Sequence, residues 1–342
     1  MDIRRRFWLF GRIIFNSAQF WSYKPTNSRC FYFATGVTSN LQSLHLFSQL
    51  RFMRKHLARS ILFSSICLLV VLSSFAQKVQ EPKANEEWLK PFPPFRIAGN
   101  LYYVGTYDLG CYLITTPEGN ILINTGLASS ASPIKKNIES LGFNFKDIKI
   151  LLITHAHFDH VGAMAEIKKQ TGARLMVDAA DAPVLADGGI SDYALGKYGR
   201  TFAPVKADRL LHDHDTVTLG NMHLVMLHHP GHTKGACSYL FVVKDAKRTY
   251  RVLIANMPSI IIDGKFSDVK SYPGIANDYA YTLSKMKKLS FDIWLASHAS
   301  QFNLHHKHHS GDPYNPSAFI DPMGYQAALA QLEKDYDKKV SE

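Results

Sequence analysis

Residues 154–160 read THAHFDH and place three histidines and an aspartate within seven positions. They follow directly on the apolar run IKILLI, which predicts a buried strand. Imidazole and carboxylate groups are ligands of zinc, and a catalytic zinc site keeps one coordination position open for water. A single histidine here is equally compatible with a satisfied polar residue in a turn. Four such groups directly after a buried strand indicate a metal site.

The seven residues are predicted to lie at the carboxyl end of a strand, where α/β folds commonly carry their ligands. The next helix is predicted to begin near Val161, so His155, His157, Asp159 and His160 are expected in the connecting loop. In an extended loop, residues i and i+2 point the same way. His155 and His157 are therefore expected to face one point, while Asp159 and His160 reach another.

Further ligands are expected later in the chain, because four groups on one loop do not complete two tetrahedral shells. In HHPGHTKGA, the turn at Pro230 and Gly231 is expected to present His232 just before a strand. In FDIWLASHAS, His298 stands at the end of another apolar strand. His228 and His229 are rival ligand candidates to His232, but they are disfavoured because they precede the turn. The run HHKHH at 305–309 is interpreted as an exposed polar loop, with adventitious metal binding as the alternative.

The elements that must position these groups alternate between strand-like and helix-like patterns, which indicates a layered α/β domain. Strands are predicted at 101–106, 111–116, 119–126, 148–154, 173–179 and 291–297, with a run of hairpins over 209–229, 237–245 and 248–256. Helices are predicted at 132–143, with Ser132 as N-cap and Gly142 as stop, and at 161–172, 278–290 and 324–339.

The formal net charge of +11 belongs almost entirely to the first 76 residues. That segment carries ten Lys or Arg and one acidic residue, a net of +9, which leaves +2 for the rest of the chain. A nearly neutral body has no electrostatic footprint for a polyanion. The sequence therefore predicts no nucleic-acid partner.

Residues 53–76 have the organisation of a secretory signal peptide. A basic start is followed by the twelve-residue stretch ILFSSICLLVVL, and Ser74 and Ala76 supply the small residues of a cleavage site. This stretch is shorter than the roughly 20 residues that a helix needs to cross a bilayer, which disfavours a membrane anchor. The sequence predicts export to the periplasm, a single mature domain over 77–342, and a non-native or unstructured extension over 1–52.

The predicted mature domain retains two cysteines, Cys111 and Cys237. An oxidising compartment permits a disulfide, but residues 126 positions apart in sequence do not reveal their distance in space. Free cysteine is among the most frequently buried residue types. Both are interpreted as buried small apolar residues rather than as a bridge.

The motif His155-x-His157-x-Asp159-His160, followed by Pro-Gly-His232 and a distal His298, resembles the metallo-β-lactamase superfamily. The resemblance spans about residues 95–320. It implies a four-layer αβ/βα sandwich with two metal ions at the edge of the sheets. It also implies a small-molecule β-lactam substrate. No stable membrane insertion is expected after cleavage of the signal peptide, and a monomer is expected.

One stretch separates the branches of this superfamily. Its non-lactamase hydrolases carry an aspartate after the third histidine that bridges the two metals. Here the corresponding stretch, VLIANMPSI, has Asn256 and Met257 and no acid, and Asp263 is interpreted as a turn residue. No cysteine stands there either, as the first lactamase subclass requires. The pattern resembles the third subclass, in a branch with Met257 in place of a serine.

This resemblance implies a role for each motif residue. The first zinc would be held by His155, His157 and His232, and the second by Asp159, His160 and His298. Ser259 matches a serine that contacts the substrate carboxylate. The implied activity is zinc-dependent hydrolysis of the β-lactam amide bond by a metal-bound hydroxide that Asp159 orients, which confers antibiotic resistance.

Other functions stay open at this point. A related metallo-hydrolase acting on a lactone or thioester, or a zinc-binding protein without catalysis, would carry a similar histidine motif. The strings SPIK at 132–135 and SKMK at 284–287 match the Ser-x-x-Lys of serine β-lactamases, and SDY at 191–193 distantly resembles Ser-Asp-Asn. No Lys-Thr-Gly accompanies them, and strings this short arise by chance.

Overall fold

The computed structural model describes residues 50–57, 59–65 and 78–342. The chain divides into two units, Met1–Phe75 and Ala76–Glu342. In the first unit, residues 50–57 and 59–65 are helical and exposed. Most of the predicted extension over 1–52, and the cleavage site of the predicted signal peptide, lie outside the described residues. Within the described ranges, no helix combines the length and the apolar composition that a membrane span requires.

The strands of residues 78–342 form two sheets. The first sheet contains, in spatial order, β1 (Phe95–Ala98), β2 (Leu101–Tyr103), β3 (Tyr112–Thr116), β4 (Gly119–Ile123), β5 (Ile148–Leu152), β6 (Arg174–Asp178) and β7 (Arg209–Leu211). The second contains, in spatial order, β12 (Ile293–Ala296), β11 (Thr249–Ala255), β10 (Cys237–Lys244), β9 (Met222–His228) and β8 (Thr216–Leu219).

Both sheets mix parallel and antiparallel pairs. In the first sheet β1 to β4 pair antiparallel and β4 to β7 pair parallel. In the second, β8 to β11 form antiparallel hairpins and β12 lies parallel to β11. One predicted hairpin strand is wrong: β7 joins the first sheet beside β6, because the turn at 212–215, where His214 takes a φ of 66°, redirects the chain before β8 begins.

Helices connect and cover the sheets. The longer ones are α2 (Ala131–Ser140), α4 (Met164–Thr171), α5 (Ala182–Asp187), α6 (Ile275–Met286) and α8 (Pro322–Val340), and the single turns are α1 (Glu86–Leu89), α3 (Phe158–Val161) and α7 (Leu304–Lys307). Short 3-10 turns lie at Ala128–Ser130, Phe145–Asp147, Gly196–Tyr198, Phe266–Asp268, Ser300–Phe302 and Pro316–Phe319.

The predicted N-cap of α2 is wrong. The helix is capped by Ser130 and not by Ser132, because the 3-10 turn at Ala128–Ser130 runs directly into it and brings Ser132 into the first helical turn. The end of α4 follows the sequence expectation: Gly172 takes a left-handed φ of 68°, which glycine adopts without steric penalty.

The layers follow from alternation along the strands. In β5, Ile150 packs in the core between the sheets, whereas Leu151 packs in the core beneath the helices. Ile134 of α2 and Ile167 of α4 belong to that second core, and Leu329 of α8 packs with the second sheet. The arrangement is helix, sheet, sheet, helix, which confirms the predicted four-layer sandwich.

The two cysteines of the domain are free and buried, as predicted. Cys111 precedes β3, and Cys237 opens β10. Burial raises the pKa of both thiols, so neither is a reactive thiolate at neutral pH.

Candidate metal centre

Three histidines from two loops meet at one edge of the sandwich. His155 and His157 follow β5, and His232 precedes β10. One ring nitrogen from each lies within 4.8 Å of the other two, and all three side chains are buried. The ring centroid of His155 lies 4.8 Å from that of His157 and 4.5 Å from that of His232. Nitrogens at these separations can coordinate a single ion; these three residues form group one.

A second set of donors lies beside group one. His160 Nε2 and His298 Nε2 approach the same carboxylate oxygen, Asp159 Oδ2, at 3.1 Å and 3.4 Å. Asp159, His160 and His298 form group two. His155 borders both groups, since its donor atom also lies within 4.8 Å of those of Asp159 and His160. From the sequence, His155 was expected to face only the point that His157 faces, so its place beside both groups was not anticipated.

The predicted loop conformation of Asp159 and His160 is wrong, because both belong to the helical turn α3. His157 is its N-cap with extended backbone angles, φ −102° and ψ 153°. The His157 carbonyl accepts hydrogen bonds from the backbone N–H of His160 and Val161, which closes the turn. A helical turn, rather than extended alternation, carries the two side chains to group two.

A hydrogen bond to His232 and a carboxylate contact to His157 orient two rings of group one from the outer side. His232 Nδ1 lies 2.7 Å from the Ser259 carbonyl oxygen, which can only accept, so Nδ1 carries the proton and Nε2 keeps its lone pair. The Tyr279 hydroxyl donates to the same carbonyl at 2.9 Å. Asp192 Oδ2 lies 3.4 Å from His157 Nε2. Such contacts set which ring nitrogen faces the centre.

Asp108, which lies 190 positions earlier in the chain, orients His298. Asp108 Oδ2 lies 3.0 Å from His298 Nδ1 and accepts a hydrogen bond from Trp88 Nε1 at 3.1 Å. Asp108 Oδ1 accepts the backbone N–H of Ser300 at 2.8 Å. The His298 ring is thereby fixed with Nε2 toward Asp159. Nothing in the sequence motif pointed to Asp108.

Burial and neighbouring charges shift the pKa values of the candidate ligands in different directions, within group one as well as within group two. Burial lowers the pKa of His155 well below its usual value and that of His232 to about 3, so both rings are neutral with free lone pairs. Burial opposes ionisation of Asp159, but its contacts with His160 and His298 hold its pKa well below the usual range. Burial also opposes protonation of His298, yet Asp108 and Asp159 raise its pKa to about 9.

The two rival histidines have other partners. His228 Nδ1 contacts Asp178 Oδ2 at 2.7 Å, and His229 Nδ1 contacts the Ser238 hydroxyl at 2.7 Å. Neither belongs to group one or group two. The preference for His232 over these two histidines agrees with this geometry.

The histidine run at 305–309 is not an exposed loop, and that prediction was wrong. Residues Leu304–Lys307 form α7, and His305 and His308 are partly buried. The His305 ring stacks on Tyr107 and the His308 ring on Phe95, each with centroids 3.7 Å apart. Aromatic packing holds this segment against the sheet.

The serine strings lie on the protein surface. The serines and lysines of these strings are exposed: Ser132, Lys135, Ser191, Ser284 and Lys287. Asp192 of the third string is buried and contacts His157 instead of a serine. A serine nucleophile needs a base within hydrogen-bond reach and a pocket. Within the described residues, Lys135 and Lys287 pair with Glu139 and Glu333 and not with the serines of their strings.

The stretch after β11 corresponds to the position of the metal-bridging aspartate in the non-lactamase hydrolases. Met257 is buried and belongs to the large hydrophobic core that includes the second sheet, and the neighbouring Asn256 is also buried. Asp263 is exposed. Ser259 is half-buried, with its hydroxyl 3.3 Å from His232 Nδ1. Its carbonyl contact with His232 is a role that the sequence did not reveal.

Comparisons with known proteins show which family has this fold. A family model described as the metallo-β-lactamase superfamily matches residues 111–245. A class B3 di-zinc metallo-β-lactamase, LRA-12 from an Alaskan soil metagenome, is 65% identical and superposes with a TM-score of 0.76. The alignment covers 77% of this chain and 100% of that structure. The chain belongs to the metallo-β-lactamase superfamily.

Other members of the superfamily are also similar to this chain. The metallo-β-lactamase GOB-18 from Elizabethkingia meningoseptica is 61% identical, with a TM-score of 0.77, over 78% of this chain and 99% of that one. A curated relative, hydroxyacylglutathione hydrolase from Bradyrhizobium sp. (strain ORS 278), is 32% identical over 130 residues. That match covers 38% of this chain and only 42% of the relative's length. The solved relatives confirm the third subclass that the motif indicated.

Proposed function

We propose that the protein is a zinc-dependent β-lactamase that hydrolyses the amide bond of the β-lactam ring. The 65% identity to LRA-12 across the whole of that class B3 enzyme carries this proposal. The absence of an acid at Asn256 and Met257 disfavours the thioesterase alternative, and the curated thioester-hydrolase relatives match over a much shorter stretch.

The donor groups suit zinc. Group one offers three imidazoles, and group two adds the carboxylate of Asp159, which are ligand types that zinc accepts. His160 Nε2 lies 3.1 Å from Asp159 Oδ2 without the geometry of a hydrogen bond, and the buried His160 Nδ1 has no hydrogen-bond partner within the described part of the chain. A buried imidazole without such a bond is expected where the partner is a metal ion. We propose one zinc at each group, two per chain.

The remaining chemistry falls to residues of this chain. Zinc, when bound, supplies a Lewis acid and lowers the pKa of a coordinated water to about 7. Asp159, whose pKa lies well below its usual range, stays ionised at neutral pH and can orient the attacking water through its carboxylate. The Ser259 hydroxyl is proposed to donate to the substrate carboxylate. No covalent bond to the protein is required.

The decisive experiment follows hydrolysis of a carbapenem and a cephalosporin by absorbance, with added zinc and with a chelator. We expect rapid turnover that the chelator abolishes and zinc restores. A lactone and a glutathione thioester serve as comparison substrates. Faster turnover of either, or two bound zinc ions without turnover of any substrate, would replace the β-lactamase proposal by one of the alternatives.

We also propose that residues 53–76 direct export to the periplasm and are removed, leaving a monomeric domain over 77–342. The concentration of basic residues before position 76 and the small residues Ser74 and Ala76 support this. The intact mass of protein released from the periplasm of an expressing Gram-negative cell should correspond to a chain beginning at Gln77. A mass that includes residues 1–76 would contradict the proposal.

A further inference from the structure

Asp181 links the two loops that carry group one, although it belongs to neither. Its side chain is fully buried at the start of α5. From the first loop, the backbone N–H of Ala156 donates to Asp181 Oδ2 at 2.8 Å. From the second, the Thr233 hydroxyl donates to the same oxygen at 2.8 Å and the backbone N–H of Gly235 donates to Oδ1 at 2.7 Å.

The positions of these donors relate them directly to the ligands. Ala156 lies between His155 and His157, and Thr233 follows His232. We infer that Asp181 is a positioning residue that sets the separation of the two ligand loops and so tunes the affinity of group one for zinc. The inference rests on the proposed zinc site.

Only a carboxylate satisfies all three donors at once. An ionised carboxylate is purely an acceptor with about four lone-pair sites, whereas an amide replaces one acceptor oxygen by a donor NH2. With asparagine at 181, that NH2 group must face a donor from one of the two loops. Either the Ala156 N–H or the Gly235 N–H would then lose its hydrogen-bond acceptor.

The packing between Gly235 and Asp181 is too tight to admit a side chain at position 235. A Cβ added at Gly235 would lie 2.4 Å from the Asp181 backbone nitrogen and 2.7 Å from its Cβ. Burial of the carboxylate raises the pKa of Asp181 to about 6, with its three hydrogen bonds acting in the opposite direction. The fold thus keeps a charge-bearing group where a neutral side chain would be easier to bury.

The test compares Asp181→Asn with Asp178→Asn in the full chain. Asp178 is a matched control: it is equally buried, three residues earlier, and binds the Ala180 N–H and His228 instead of the ligand loops. Zinc dissociation constants are measured by competition with a chromogenic chelator. Loss of a group that supports metal ligands typically costs 10–100-fold in metal affinity. We expect a loss of about that size for Asp181→Asn and none for Asp178→Asn.

A second readout reports ligand geometry and not stability. In cobalt-substituted protein, Asp181→Asn should shift the visible absorption bands of the metal, while Asp178→Asn should leave them unchanged. If Asp181→Asn does not fold, Thr233→Val removes a single donor at nearly constant volume, and a smaller loss of zinc affinity is expected. Unchanged affinity and unchanged spectra would overturn the inference, as would equal losses in Asp181→Asn and Asp178→Asn.

These measurements separate the inference from the proposed function. Zinc affinity and cobalt spectra require no substrate. A wild-type protein that binds zinc but does not hydrolyse β-lactams would overturn the proposed activity, while the two variants would still decide the role of Asp181. A wild-type protein that binds no zinc would overturn both.

Discussion

Replacing Asp159 by alanine is expected to abolish most β-lactam hydrolysis. The change removes the carboxylate that His160 and His298 both approach, at 3.1 Å and 3.4 Å. Without it, group two loses its acidic donor and the two imidazoles lose their common partner. Loss of a supporting contact alone costs 10–100-fold, so kcat/KM should fall by more than about 100-fold. Zinc content should fall from two ions per chain toward one.

Asp263→Ala is the control for this variant. Asp263 is the acid nearest in sequence to the expected bridging position, and it is exposed. Its replacement should leave both hydrolysis and zinc content unchanged. Full activity in Asp159→Ala would contradict the two-zinc proposal, and a loss of zinc in Asp263→Ala would assign the bridging role to that residue.

Replacing His232 by alanine should disrupt group one in the same measurements. His232 is the member of that group which comes from the second loop, and its Nδ1 contact with the Ser259 carbonyl leaves Nε2 free to coordinate. The two remaining histidines of group one are too few for a stable tetrahedral zinc site. Hydrolysis should fall by more than about 100-fold, and the affinity for the first zinc should fall with it.

His229→Gln provides the matched comparison. His229 is as deeply buried, lies three residues earlier and binds the Ser238 hydroxyl at 2.7 Å. Glutamine keeps a polar group there, so zinc stoichiometry should be retained even if the protein is less stable. Loss of zinc in His229→Gln together with retention in His232→Ala would mean that the wrong histidine of this loop has been assigned.

The chemistry of the site could be predicted from local sequence because its signals are short-range. His155, His157, Asp159 and His160 stand within six positions after an apolar run, and a strand end is recognisable from its pattern. His232 and His298 follow turn and strand signals of the same kind. In the fold these residues meet at one edge of the sandwich, although β5 belongs to the first sheet and β10 and β12 belong to the second.

The local conformation was less predictable. Extended alternation was expected for Asp159 and His160, but hydrogen bonds to the His157 carbonyl close a helical turn there. Likewise, β7 was expected in a hairpin and instead extends the first sheet. Strand pairing depends on long-range hydrogen bonds, so a three-residue strand such as β7 does not reveal in its sequence which sheet it joins.

The supporting carboxylates carried no sequence signal. Asp108 lies 190 positions from the histidine it orients, and Asp181 lies 25 and 54 positions from the two backbone N–H groups that donate to it. Each is a single aspartate in an unremarkable stretch. Their roles come from the spatial meeting of segments that are distant in the chain.

The sequence by itself determined the superfamily and the layered α/β architecture and indicated the candidate ligand types, because residue identity and periodicity are properties of short stretches. Only the tertiary structure decided that His155 borders both groups and that Asp108, Asp181 and Asp192 orient or link the ligands. Those outcomes depend on sheet order, on a helical turn and on the packing of buried carboxylates against backbone donors. Such contacts form only when the whole sandwich has folded.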